Sequence, residues 1–295
     1  MSIAPHDPSP IDAHTGTATT GHEWDGIREL NTPLPRWWLY MLYASIVWAF
    51  GYMIVYPAVP LVSSYTKGLF GWSARRAVAE ELAALTAQRA PMVNALAAAS
   101  LTEIEKDPKL LSFARAQGKA AFGDNCAPCH GAGGGGAKAF PNLNDDDWLW
   151  AGTLEDISAT LTHGIRSADP QARVGNMPAF GADGLLKPAE VSAVADYARS
   201  LSGLAVDAKA DLKTGAKVFE ENCAACHGPE GKGIQEIGAP NLTDQIWLYG
   251  SDKATVVEGI NKGRGGVMPN WGGRLDAGTI KALAVYVHTL GGSGG

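Results

Sequence analysis

The chain has 295 residues, 46% of them hydrophobic and 18% charged, with a formal net charge of −6 and a pI near 5.6. That length accommodates two or three domains, and an acidic balance without a basic stripe excludes nucleic acid as the expected partner. The four cysteines fall in two five-residue motifs, which leaves no thiol over for a structural disulfide.

Residues 1–22 are rich in Pro, Thr, Ser and His, lack apolar periodicity and read as disordered. His6, His14 and His22 are scattered through this tail and do not make a metal tract. A box from Gly21 to Asn31, reading Gly-His-Glu-Trp-Asp-Gly-Ile-Arg-Glu-Leu-Asn, is closed by Pro33-Leu34-Pro35. From Trp37 to Val59 the chain carries no charge, and as a helix these residues reach about 34 Å, enough to span a bilayer core. Trp37, Trp38 and Tyr40 at one end and Tyr52 and Tyr56 near the other suit interfacial aromatic belts. The long acidic region ahead of the run argues against a cleaved signal peptide. The expectation is a segment over 1–36 and one permanent transmembrane helix over 37–60. Arg28 and Arg36 precede the span and Lys67, Arg75 and Arg76 follow it, so the positive-inside bias does not favour a cytoplasmic N-terminus, although large downstream domains translocate largely regardless of charge.

A linker follows over 61–107. Ser73 reads as the N-cap of a helix over 73–90 with Val78, Leu82 and Leu85 on one face. Pro91 is expected to interrupt it, with a second helical piece continuing to Ser100. The apolar stripe either lies on a solvated linker or packs on a partner subunit.

The stretch that carries chemistry is Cys126-Ala127-Pro128-Cys129-His130, which returns as Cys223-Ala224-Ala225-Cys226-His227. Two thiols separated by two residues can add to the two vinyl groups of one haem, and a histidine directly after them is held where its imidazole ligates the iron. A disulfide, a redox dithiol or half a zinc site also uses Cys-x-x-Cys. However, no βαβ pattern surrounds either motif, and a zinc site does not explain the histidine that follows both times. The spacing predicts two covalently bound haem c groups, with His130 and His227 as proximal ligands. A methionine thioether supplies the sixth ligand in many electron-transfer cytochromes. Met177 and Met268 are the candidates, each followed by Pro and each roughly forty to fifty residues after the haem histidine of its own repeat.

The motifs sit in an internal repeat. Gly118, Phe122, Asn125, Trp148, Tyr197 and Leu201 match Gly215, Phe219, Asn222, Trp247, Tyr286 and Leu290, and Pro141-Asn142-Leu143 matches Pro240-Asn241-Leu242. The offset is 97 residues at the cysteines and 91 at the methionines, so the first copy carries an inserted loop around Ser167 to Val174. The expected domains are 108–205 and 206–295. In each, a first helix enters the haem motif, helped in the first copy by Asp107 as N-cap and Pro108. The Pro-Asn-Leu loop, one or two short helices, the Met-Pro loop and a closing amphipathic helix at 188–201 or 276–290 follow. Trp148 and Trp247 read as haem-packing aromatics. Arg166 and Arg264 are propionate partners or ordinary surface charge, and His163 is an alternative to Met177. Gly131 to Gly136 fits the dinucleotide pattern, but follows a haem motif instead of a strand. Asp145-Asp146-Asp147 reads as a solvated helix start.

The box, the membrane span and the two haem motifs together resemble the diheme subunit of cbb3-type cytochrome c oxidases. The resemblance covers nearly the whole chain, and the box is its most specific part, because twin haem c domains occur in many cytochromes. It implies class I cytochrome c domains in which Pro141 and Pro240 give their carbonyls to the second nitrogen of His130 and His227. It also implies a single-pass protein of the bacterial inner membrane, with a cytoplasmic N-terminus and periplasmic haem domains. By the same resemblance, a c-type cytochrome donor delivers electrons, which pass to a monohaem cytochrome c subunit and then to a haem-copper catalytic subunit where oxygen becomes water and protons are pumped.

The expected fold is therefore all-α: one N-terminal transmembrane helix, a helical connector and two tandem class I cytochrome c domains. With both irons capped by His and Met, neither has the open position that oxygen activation requires, so no catalytic residue is assigned. A diheme peroxidase would need one distal ligand to leave. A diheme anchor for another complex, such as a dehydrogenase or nitric oxide reductase, is opposed only by the N-terminal box.

Overall fold

A computed structural model describes residues 10–291. The expectations for residues 1–9, His6 among them, and for residues 292–295 lie outside the described residues. The chain divides into two compact units, residues 1–86 and 87–295.

The first unit opens with an antiparallel hairpin of β1 (Thr19–Trp24) and β2 (Ile27–Leu30). Asp25 and Gly26 both take positive φ, 50° and 83°, as a two-residue hairpin turn of the Asp-Gly kind requires. Residues 10–22 are thus ordered where composition predicted disorder. The Asp12 carboxylate accepts from the backbone N–H of His14 at 3.1 Å and of Thr15 at 2.8 Å, and the buried Thr19 bonds back to the Pro10 carbonyl. Such an Asx turn depends on one side chain, so it leaves no compositional trace.

Helix α1 (Arg36–Val55) is long and apolar enough to cross a membrane and has none of its residues buried. Its 20 residues reach about 30 Å. It stops five residues short of the predicted end at residue 60 because Pro57 forces Tyr56 into extended backbone, at φ −110° and ψ 162°. The chain then folds back, and the N–H groups of Leu69 and Phe70 donate to the carbonyls of Ile54 and Val55 at 3.1 and 3.2 Å. Gly68, at φ +67°, permits this approach, since a Cβ there would overlap the Val55 carbonyl carbon at 2.6 Å.

Helix α2 (Ala74–Ala98) runs unbroken through Pro91, against the predicted interruption. Beyond the proline, fully buried Leu96 packs with Ile104, Ala114, Leu154, Ala282 and Val285. The surrounding alanines favour helix, and this packing offsets the bond that proline removes. In the first unit, Val78, Leu82 and Leu85 are exposed.

The second unit is helical: α3 (Leu101–Lys106), α4 (Pro108–Asn125), α5 (Ala127–His130), α6 (Leu154–His163), α7 (Pro188–Leu201), α8 (Leu212–Asn222), α9 (Ala224–His227), α10 (Lys253–Lys262) and α11 (Ala277–His288). Side-chain caps start most of them, with Ser100, Asp107, Thr153, Asp211, Asp252 and Asp276 accepting from the first-turn N–H groups. Asp145 to Asp147 start no helix. Instead Asp145 accepts from the Asp147 N–H, and α6 begins only at Leu154.

The closing helices are exchanged between the repeats. Helix α11, from the second copy, packs along α4 and α6 of the first, while α7 packs along α8 and α10 of the second. At each crossing a glycine admits the closing helix. Gly118 lies against the Ala282 carbonyl and the Tyr286 Cβ, and Gly215 against the Ala193 carbonyl and the Tyr197 Cβ. Tilted aromatic pairs accompany both, Phe122 with Tyr286 and Phe219 with Tyr197, each at 5.4 Å. Chain connectivity favours this arrangement. Helix α8 follows α7 after a short loop, whereas α4 lies far upstream, and a short loop costs less closure entropy.

These contacts set opposite signs for two glycines of one helix. A Cβ at Gly118 would stand 2.6 Å from the Tyr286 Cβ, so Gly118→Ala should lower stability by about 1–3 kcal/mol. Gly123 is exposed with nothing within 4 Å, so Gly123→Ala should be neutral or raise stability by about 0.5–1 kcal/mol. Denaturant unfolding of the two variants checks both signs.

Candidate haem sites

Each Cys-x-x-Cys-His motif straddles the junction of a long helix and a single helical turn. Cys126 caps α4, its N–H donating to the Phe122 carbonyl at 2.8 Å, and the His130 N–H donates to the Cys126 carbonyl at 2.9 Å. The second copy repeats these bonds at Cys223 and His227, again at 2.8 and 2.9 Å. Cys126 is buried and Cys223 half-buried, while Cys129 and Cys226 are exposed. As free thiols, Cys126 and Cys223 are pushed up to about 11 by burial and by the neighbouring thiol.

The imidazoles are held from behind. His130 Nδ1 lies 3.1 Å from the Pro141 carbonyl oxygen and His227 Nδ1 lies 3.0 Å from that of Pro240. A carbonyl can only accept, so Nδ1 carries the proton and Nε2 keeps the lone pair that a metal needs. Burial lowers both histidines below their ordinary value, against the raising effect of the carbonyl, which favours the neutral, ligating form.

The glycines of the sequence Gly131 to Gly136 have a structural task. Gly131, Gly134 and Gly136 take φ of 81°, 79° and 71°, and Gly228, Gly231 and Gly233 of the second copy take 76°, 76° and 79°. A Cβ on Gly136 would meet the Asn142 nitrogen at 2.6 Å. That close approach keeps the histidine turn against the Pro-Asn-Leu loop.

The methionine loops are crossed as the helices are. Met268 exchanges backbone hydrogen bonds with Ile165, both 3.0 Å, and Met177 exchanges them with Arg264 at 2.9 and 3.1 Å. Met268 packs against the cluster of Phe122, Cys126, Leu161 and Leu283, while Met177 packs against Leu186, Val218, Phe219 and Ile260. Met268 thus packs with the cluster that holds Cys126, and Met177 with the cluster that Cys223 borders, so each methionine loop lies against the motif of the other repeat. Gly164, at φ +75°, makes one crossing possible, since a Cβ there would meet the Asn270 nitrogen at 2.8 Å.

Other predicted residues are placed as follows. Trp148 packs against the first cluster. Trp247 has a buried Nε1 with no hydrogen-bond partner. Arg264 lies over the Tyr249 ring at 4.1 Å. Arg166, lowered from its ordinary value by burial, donates to the carbonyls of Gly175 and Gly266. His163 Nδ1 sits 3.2 Å from an Asp169 carboxylate oxygen, within the inserted loop. Among the described residues no group of three or more His, Cys, Asp or Glu side chains is placed to hold a metal ion. That Arg166 spans two loops was not legible in the residues, since it depends on the left-handed backbone there, φ 52°.

The donor set fits haem c. Each site presents two thiols three residues apart, a neutral imidazole, a thioether and apolar walls. The unpartnered Trp247 N–H is suited to a porphyrin carboxylate. Comparison with known proteins agrees with this chemistry. Residues 16–63 match the N-terminal domain of cytochrome oxidase-cbb3, FixP, residues 115–202 match cytochrome c, and residues 210–287 match cytochrome c oxidase, cbb3-type, subunit III. The chain is 64% identical over 286 residues to the cbb3-type cytochrome c oxidase subunit FixP of Bradyrhizobium sp. (strain ORS 278), covering 97% of this chain and 99% of that one. It is 63% identical to the FixP subunit of Azorhizobium caulinodans, over 96% of each chain. It is 49% identical to the CcoP subunit of Cereibacter sphaeroides, over 99% of each chain. Identity at this level along nearly the whole length places the protein in the FixP/CcoP family of cbb3-type cytochrome c oxidase subunits, membrane-anchored electron-transfer proteins with covalently bound haem c.

Proposed function

We propose that the chain holds two haem c groups in crossed ligation. One is bonded to Cys126 and Cys129 with His130 and Met268 as axial ligands, the other to Cys223 and Cys226 with His227 and Met177. The observation that carries this reading is the pair of reciprocal backbone bridges, Met268 with Ile165 and Met177 with Arg264. Bound haem supplies one-electron redox chemistry. The chain's own residues anchor it through four thiols, orient each imidazole through Pro141 and Pro240, and exclude water with the apolar clusters. His130, Met268, His227 and Met177 would leave neither iron a free position for a substrate, so the bound groups would serve electron exchange alone.

In this reading electrons come from a c-type cytochrome and pass through a monohaem cytochrome c subunit to the haem-copper subunit, which reduces oxygen and pumps protons. The relatives' identity as cbb3-type oxidase subunits supports this. Helix α1 anchors the chain in the bacterial inner membrane with its N-terminus in the cytoplasm and the haem domains in the periplasm, where cysteines committed to haem attachment lie outside the reducing cytosol. Asp147 lies near Asp244 of the second repeat and near Asp145, and its carboxyl is raised first by burial and then by those two charges. Carboxylates from both copies therefore gather in one acidic region.

Three outcomes follow. Spectroscopic haem quantification after denaturation should give two covalent haems per chain, and one would refute the assignment. Truncation after residue 205 removes α11 and Met268 together, so it should abolish the six-coordinate low-spin spectrum of the first haem. Repeats that fold independently would instead retain it. Oxidation of a lysine-rich cytochrome should slow as ionic strength rises, and a rate independent of salt would contradict donor docking on the acidic region.

A further inference from the structure

We infer that Arg166 is a single clamp positioning both methionine loops, so that the sixth ligands of the two haems are held or lost together. This rests on the crossed Met ligation proposed above. Arg166 follows the C-terminal end of α6 and has the left-handed φ of 52°, a conformation unfavourable for a side chain of its size unless its surroundings impose it. That backbone turns the guanidinium between two loops. Its Nε donates to the Gly266 carbonyl at 2.5 Å and its Nη1 donates to the Gly175 carbonyl. Gly266 stands two residues before Met268, and Gly175 two residues before Met177. One planar fork thus ties down the approach to both thioethers.

The repeat does not duplicate the clamp. Arg264 has its guanidinium over the Tyr249 ring at 4.1 Å and donates Nη2 to the Thr255 carbonyl at 3.3 Å, within its own copy. The two alternatives raised by the sequence, propionate pairing and surface charge, leave the two carbonyl bonds unexplained. A thioether is a neutral, weak ligand whose hold on iron depends on the protein placing it, and groups that orient a ligand from outside its bond set its strength. A guanidinium can meet two divergent carbonyls at once because its donors are fixed in a fork, whereas an ammonium is a compact point donor.

The test uses the full haem-loaded chain in detergent, with the near-infrared methionine-to-iron charge-transfer band of the ferric form as readout. Two variants are compared with wild type: Arg166→Gly, which removes the side chain and relieves the left-handed backbone, and Arg166→Lys, which retains the charge. Covalent haem content should stay at the wild-type level in both. The inference predicts that the band falls below half its wild-type intensity in each, since loss at one haem alone would leave half, and that both midpoint potentials fall. A band at half intensity or above in Arg166→Gly, or full recovery in Arg166→Lys, overturns the clamp while leaving Met ligation intact. A wild-type protein without the band overturns Met ligation itself, and the clamp with it.

Discussion

The second unit depends on two helix crossings in which a glycine of one repeat receives the closing helix of the other. At Gly118 and at Gly215 the backbones come close enough that any side chain would collide with a carbonyl, and an aromatic pair locks each crossing beside it. Once α11 lies on α4 and α7 on α8, the segments that lead into these helices must cross as well. The loop of Met268 then pairs with Ile165 and that of Met177 with Arg264. Trp271 and Gly272 donate to Leu161 and Thr162 at 2.9 and 3.1 Å. Neither repeat contains a complete core, so the two halves stand or fall as one body.

That arrangement suits a conductor. In the proposed reading each iron takes its histidine and thioether bridges from one repeat and its methionine from the other, so the two redox centres cannot move apart without losing a ligand. Fixed separation is what repeated one-electron transfer between two centres requires. The histidine side is rigid: a two-bond turn through Gly136 or Gly233 and a carbonyl from Pro141 or Pro240 fix each ring. The methionine side relies on loop placement, and there the structure sets the two reciprocal backbone bridges and an arginine with left-handed backbone.

Much of this was legible in the residues, and the failures have physical causes. Cys126 to His130 and its repeat announced the cofactor because the spacing has few other uses. The span of α7 was readable from Pro188 and the apolar period that follows. The crossed pairing was not readable, because Gly118 equals Gly215 and Tyr197 equals Tyr286: surfaces that match in type cannot reveal which copy they meet. Pro91 misled because the burial of Leu96 outweighs a local break. The Asp25-Gly26 turn was within reach, being a strong hairpin signal, but the polar composition around it masked the short strands. Asp145 to Asp147 looked like a helix start because local charge says nothing of where tertiary packing lets a helix begin.

The most direct measurement is an experimental structure of the haem-loaded chain at a resolution that places sulfur beside iron. The account predicts the Met268 sulfur on the iron of the porphyrin bonded to Cys126 and Cys129, and the Met177 sulfur on the other. Met177 bound over the first porphyrin, with each repeat closed on itself, would contradict it.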